Sequence, residues 1–133
     1  MKSPSSVKDY MAKNLVTFSP ETNVLSAIRT LLRHKISGAP VVDDNNQVIG
    51  MVSEKDCLQT FLGSSYYNEM GELVSEIMTS PVITVDANAS IIEVAEKFLK
   101  NNFRRFPVLE QGELIGQISR RDILKAIKKI RKH

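Results

Sequence analysis

The sequence predicts an α+β protein built from two copies of one strand-helix-strand-strand-helix unit. Three observations predict it. First, Val7-Lys8-Asp9-Tyr10-Met11 realigns on Val74-Ser75-Glu76-Ile77-Met78, an offset of 67 that persists along most of the chain. Second, each copy alternates short β-branched runs with stretches whose apolar residues recur at helical spacing. Third, 133 residues make one compact domain or two small units that must share a core, because neither buries enough surface alone.

The internal match fixes the organisation. Thr17 falls on Thr84 and Pro40-Val41 on Pro107-Val108; after a one-residue deletion Ile49-Gly50 falls on Ile115-Gly116, Ser53 on Ser119, Asp56 on Asp122 and Leu58 on Leu124. These limits place repeat 1 at residues 7–62, a connecting segment at 63–73 and repeat 2 at 74–130. The segment Gly63 to Gly71 has no counterpart inside a repeat, and its small and polar residues suit a connection. Its Tyr66 and Tyr67 are expected to cover the repeat interface with their rings while their hydroxyls stay wet.

Leu15-Val16-Thr17-Phe18 and Val82-Ile83-Thr84-Val85 read as short strands, ended by Pro20 in one copy and Asp86 in the other. A helix follows in each copy. Asn23 and Ser90 stand at equivalent N-cap positions, Ser90 to Glu93 has capping-box spacing, and Val24, Leu25, Ile28, Leu31 and Leu32 match Ile91, Ile92, Ala95, Phe98 and Leu99 as one apolar face. Ala39 to Val42 and Phe106 to Leu109 then read as strands, turning through Asp43 to Gln47 and Glu110 to Glu113 into Val48 to Val52 and Leu114 to Ile118. A final helix starts near Lys55 and near Arg121, and Leu124, Ile127 and Ile130 mark its apolar stripe.

The sharpest motif is Gly50-Met51-Val52-Ser53-Glu54-Lys55-Asp56, repeated as Gly116-Gln117-Ile118-Ser119-Arg120-Arg121-Asp122. Both copies join a strand to a helix N-terminus, where unpaired backbone N–H groups and the positive end of the helix dipole attract phosphate. Ser53 or Ser119 can add a hydrogen bond to a phosphate oxygen, and Asp56 or Asp122 can accept two from a ribose diol. The same Ser-x-x-Asp spacing is also that of a capping box, in which the serine bonds the backbone three residues on. Both readings stand on the residues. The glycine at equal spacing before each serine, and the proline-containing strand before each hairpin, favour a ligand site.

These residues resemble tandem CBS domains, named for cystathionine β-synthase, whose repeats carry Gly-apolar-apolar-Thr/Ser-x-x-Asp/Asn at this place. The resemblance runs from about Val7 to Ile130, and the motif occurs twice in register. It implies two β-α-β-β-α repeats packed about a pseudo-twofold axis, pairs that dimerise, and ligands in clefts between the repeats. Carried over by position, Asp56 and Asp122 would hold ribose hydroxyls and Ser53 and Ser119 would approach phosphates. Thr17 and Thr84, with Ser37-Gly38-Ala39-Pro40 and Arg104-Arg105-Phe106-Pro107, would flank the base. The sequence departs from the pattern at Gln117, a polar residue in an apolar position, and in carrying Ser rather than the commoner Thr at both signature sites.

The copies differ in charge. Glu54 and Lys55 nearly cancel beside the first signature, whereas the second has Arg120 and Arg121, with Arg104 and Arg105 on the preceding strand. Guanidinium groups hold phosphate through paired charge-assisted hydrogen bonds. The Asp122 site is therefore expected to take the more phosphorylated ligand or to bind the same one more tightly, unless these arginines are spent on ion pairs with Glu110 or Glu113.

The resemblance implies a module that binds an adenosyl small molecule and passes the event to an effector protein or to its own homodimer. The expected ligands are AMP, ADP, ATP, S-adenosylmethionine or NAD, with no cofactor required. An enzyme is disfavoured, for the chain has no P-loop, no Ser-His-Asp or Cys-His set and no clustered metal ligands, with one cysteine and two histidines in all. Cys57 is assigned to packing and His34 to a surface position near a helix end. Net charge is +3, and Lys125, Lys128, Lys129, Arg131, Lys132 and His133 concentrate it at one helix. A solvated face complementing the helix dipole accounts for them ahead of nucleic-acid binding. A structural dimerisation unit with empty clefts is the remaining alternative. No apolar stretch approaches the length of a signal sequence core or membrane span, so a cytoplasmic protein without membrane contact is expected.

Overall fold

The computed structural model describes residues 6–13, 15–63 and 72–131. After a 3₁₀ turn over Val7–Asp9 come helix α1 (Val24–His34), strands β1 (Gly38–Val42) and β2 (Val48–Ser53), and helix α2 (Glu54–Gly63). The second copy follows with α3 (Val74–Ile77), β3 (Val85–Asp86), α4 (Ile91–Lys100), β4 (Arg105–Glu110), β5 (Glu113–Ser119) and α5 (Arg120–Ile130). Mixed α+β architecture in two repeats is thus what the sequence forms. Tyr66 and Tyr67 lie outside the described residues, as do Lys132 and His133.

Both hairpins form where the apolar runs and turn residues placed them. β1 and β2 pair antiparallel from Gly38↔Ser53 to Val42↔Val48, and β4 and β5 from Arg105↔Ser119 to Glu110↔Glu113. The second turn passes through Gln111 and Gly112 at φ 52° and 82°, a backbone in which glycine at the second position is unstrained. The early strands are shorter than expected. Leu15 to Phe18 contributes only a parallel bridge between Phe18 and Val41, and of Val82 to Val85 only Val85 enters β3, which pairs parallel with β4 at Val108 and Leu109.

The helix caps also match the sequence. Asn23 Oδ1 accepts from Leu25 N at 2.8 Å, and Ser90 and Glu93 close a reciprocal box at 3.1 Å in each direction. The apolar faces are narrower than five residues each. α1 buries Val24, Ala27 and Leu31 while Leu25 and Leu32 are exposed; α4 buries Ile91, Val94 and Phe98 while Ile92 and Leu99 are exposed. On α5 the core is met by Ile123 and Ala126, leaving Leu124, Ile127 and Ile130 exposed, because the inward face is one position earlier than the stripe suggested. No helix among the described residues is long and apolar enough to cross a membrane.

The compact units do not coincide with the repeats. One is continuous, Val16–Val82, and the other joins Met1–Leu15 to Ile83–His133. Each repeat's leading segment completes the other repeat's core. Val7 is fully buried in the cluster of Val85, Ile91, Phe106, Val108 and Ile118, and Val74 is fully buried among Phe18, Leu31, Val41 and Val52. Backbone bonds follow the same rule: Val7 N donates to Ala89 O at 2.9 Å, and Val74 N to Thr22 O at 2.7 Å. Further along, Ala12 exchanges both backbone bonds with Gln117, at 2.8 and 3.0 Å, as Thr79 does with Met51, at 2.8 and 3.0 Å.

Candidate functional site

Strand alternation sorts the signature residues. In the discontinuous unit Phe106, Val108 and Ile118 point into the core, so Arg105, Pro107, Gln117 and Ser119 lie on the opposite sheet face, with Arg105 paired to Ser119 and Pro107 to Gln117. The continuous unit repeats this. Ala39, Val41 and Val52 point inward, while Gly38, Pro40, Met51 and Ser53 share the other face. The side chains of Ala39 and Phe106 are therefore committed to the cores; Phe106 stacks on Phe98 at 4.4 Å between ring centroids. Towards anything on the opposite face they offer backbone only. Thr17 and Thr84 each precede the residue that bridges to the central strand, at Phe18↔Val41 and Val85↔Val108. Thr17 is exposed and Thr84 half-buried, its carbonyl accepting from Lys97 Nζ at 3.2 Å.

Both Ser-x-x-Asp pairs form capping boxes. Asp56 N donates to Ser53 Oγ and Asp122 N to Ser119 Oγ, each at 3.1 Å, while Asp56 Oδ2 accepts from Ser53 N at 2.8 Å and Asp122 Oδ2 from Ser119 N at 2.9 Å. The leading N–H of each helix is occupied as well: Glu54 N donates to Ser37 O at 2.9 Å, and Arg120 N to Arg104 O at 3.3 Å. The junctions thus hold fewer free backbone donors than the sequence suggested. The glycines are explained by packing rather than by phosphate. A Cβ on Gly50 would collide with the Met78 side chain, and one on Gly116 would meet Met11 and stand 2.8 Å from the Ala12 carbonyl oxygen. Those methionines belong to the exchanged segments.

Beyond the cap the two copies part company. In the first, Asp56 Oδ1 accepts from Thr79 Oγ1 and Ser53 Oγ donates to Asp56 Oδ2, both at 3.0 Å, so the carboxylate and the serine are satisfied within the unit. In the second, Ala12 stands where Thr79 stands in the first, and it has no hydroxyl. Asp122 Oδ1 has no hydrogen-bond partner among the described residues, and Ser119 Oγ donates to none of them. Thr79 was the residue sequence reasoning missed; the Ala12/Thr79 difference is visible in the repeat alignment but says nothing until Asp56 is known to reach it.

Charge reinforces the difference. Glu110 is held by Lys8 Nζ at 2.8 Å rather than by an arginine, and Arg104, Arg120 and Arg121 make no ion pair among the described residues. On α5, Lys129 Nζ stands 6.0 Å from the Tyr10 ring centroid, and Lys125 and Lys128 are exposed. Cys57 is buried, and burial together with the Asp56 and Glu54 carboxylates pushes its thiol above the ordinary range, so it stays protonated at neutral pH and serves as packing. A shallow pocket lined by Asp86, Glu93, Lys97 and Asn101 lies on the helical side and contains none of the signature residues.

Comparison with known proteins gives a consistent result. The CBS domain family model matches residues 7–63 and 74–129. The chain is 31% identical over 121 residues to an uncharacterized protein of Methanocaldococcus jannaschii, MJ1225, covering 91% of this chain but 42% of that protein. Among solved structures, CBSX2 in complex with AMP is 32% identical with a TM-score of 0.81, covering 95% of this chain and 98% of that one; CBSX2 comes from Arabidopsis thaliana. A CBS-domain containing protein from Agrobacterium tumefaciens is 31% identical with a TM-score of 0.80, covering 92% of each chain.

Proposed function

The chain belongs to the CBS domain family, and on that footing we propose that it is a non-catalytic regulatory module that binds an adenine nucleotide or related adenosyl ligand at the second copy's signature. The observation that carries this reading is that Asp122 Oδ1 has no hydrogen-bond partner, the Ser119 hydroxyl no acceptor, and Arg104 and Arg120 no ion pair among the described residues. A carboxylate oxygen accepts a ribose hydroxyl, and hydroxyl and guanidinium groups hold phosphate. That CBSX2 has been crystallised with AMP supports the ligand class. The first copy, with Asp56 engaged by Thr79, is the weaker site.

Regulation then works by population shift: the ligand favours one state of the module by no more than its differential affinity for the states, and a homodimer or an effector protein reads the change. Exposed Leu124, Ile127 and Ile130 on α5 are the apolar surface we assign to the homodimer.

Isothermal titration of the full chain with AMP, ADP, ATP, S-adenosylmethionine, NAD and GTP, alongside Asp56→Asn and Asp122→Asn, tests the site. Asparagine keeps an oxygen for the capping bond. Loss of the charged acceptor in Asp122→Asn is expected to cost roughly 1.5 to 3 kcal/mol, about ten- to a hundredfold in affinity, with little change in Asp56→Asn. Equal weakening by the two variants would remove the asymmetry. Absence of binding by any adenosyl ligand would leave a structural dimerisation module as the better account.

A further inference from the structure

Gln117 carries the one buried side-chain polar atom among the described residues that has no hydrogen-bond partner, its Oε1. The residue is 9% exposed, and its backbone is fully spent on Ala12, so the strand holds the side chain in place while the carboxamide goes unused. Burying an amide oxygen without a donor is unfavourable, and a buried unsatisfied group in a folded protein calls for an account. Packing does not supply one, because the equivalent residue in the other copy is Met51, which fills the same strand position without a polar atom.

Position supplies it. Gln117 is two residues before Ser119 on β5 and opposite Pro107 on β4, on the sheet face that also carries Arg105 and turns away from Ile118 and the core. It thus shares a face with Ser119, whose hydroxyl is assigned above to phosphate and which caps the helix that carries Asp122. A carboxamide offers one acceptor beside one donor. Adenine presents the complement along one edge, the N6 amino donor beside the N7 acceptor, whereas guanine and hypoxanthine place an oxygen acceptor where adenine has its amino group.

We propose that Gln117 reads the base of the bound ligand, accepting from adenine N6–H through Oε1 and donating from Nε2 to N7, and so makes the second copy's site selective for adenine over 6-oxopurines. This rests on the ligand-binding reading above. Its consequence is that selectivity resides in a single residue that the first copy lacks.

Titrations of the full chain with AMP, IMP and 7-deaza-AMP test it, using the unmodified protein and Gln117→Met, which copies the first repeat's own residue. The unmodified protein is expected to bind AMP at least about tenfold more tightly than IMP or 7-deaza-AMP, as one lost hydrogen-bonding pair implies. Gln117→Met is expected to weaken AMP to about the level of IMP, to weaken 7-deaza-AMP by the N6 bond that it still makes, and to leave IMP nearly unchanged. An AMP to IMP ratio that survives in Gln117→Met overturns the proposal while leaving nucleotide binding intact. So does 7-deaza-AMP binding the unmodified protein as tightly as AMP, a result that needs no variant to fold. If the unmodified protein binds none of the three, the ligand-binding reading itself fails and takes this inference with it.

Discussion

At the scale of single residues, similar motifs conceal different chemistry. Ser53 and Asp56 use their hydrogen-bonding capacity on one another and on Thr79, whereas Ser119 and Asp122 close the same cap and keep an oxygen and a proton in hand. The two glycines diverge as well. The nearest atoms that a Cβ on Gly50 would meet all belong to the Met78 side chain, while one on Gly116 would also strike the Ala12 carbonyl oxygen. Gly50→Ala and Gly116→Ala are each expected to destabilise by about 1 to 3 kcal/mol, as overpacking does. Adding Met78→Ala should restore much of the first loss, whereas adding Met11→Ala should restore little of the second, since backbone cannot give way. Denaturant titrations of the two double-mutant cycles decide this, and equal rescue would show the Ala12 carbonyl to be irrelevant. The Ser-x-x-Asp spacing was legible in the sequence as both a cap and a ligand site. Which oxygen stays free was not, because it depends on a threonine 23 residues from Asp56.

Among the elements, the hairpins and caps were the most legible because their signals are local: short apolar runs, turn residues, and an Asn or Ser at the helix start. The helical faces were less so. Leu25, Leu32, Ile92 and Leu99 are as apolar as their buried neighbours, and no local signal tells a residue facing the core from one facing outwards. Helix α5 shows this most clearly, with Ile123 and Ala126 inside and Leu124, Ile127 and Ile130 outside. If those three form the homodimer surface, Leu124→Lys with Ile127→Lys should give a monomer by sedimentation while the melting temperature, measured at a concentration where both proteins are monomeric, changes little. A large fall in stability in the monomer would mean that the two residues support the fold of their own chain. Ser90→Ala, which removes the hydroxyl acceptor of the cap and keeps the backbone N–H bound to Glu93 Oε1, is expected to cost about 1 kcal/mol by chemical denaturation.

For the molecule as a whole, the repeat was evident from the first alignment, yet the units that the chain forms were not. Sequence similarity says that Val7 resembles Val74; it does not say that each belongs to the other copy's core. A chain starting at residue 16 would therefore lose Val7 and the Met11 side chain from the discontinuous unit, and with them the strand bonds to Gln117. Burying the valine side chain alone is worth roughly 1.5 to 3 kcal/mol. Such a chain should show early loss of amide protection in Ile83–His133 with near-normal protection in Val16–Val82 by hydrogen exchange, and a peptide of residues 6–13 added in trans should restore part of it. Uniform protection across both units would show the leading segment to be dispensable.

The exchange also gives the chain a timetable. Val16–Val82 is continuous, so every residue of that unit has been made once Val82 leaves the ribosome. The opposite holds for Val7 and Lys8, whose unit is discontinuous. The ion pair from Lys8 to Glu110 spans 102 positions, and Gln117, the β5 residue that Ala12 binds, comes later still. A nascent chain therefore carries Val7 and its apolar neighbours without a core to enter until β5 has been translated, and in that interval they are surface open to a chaperone.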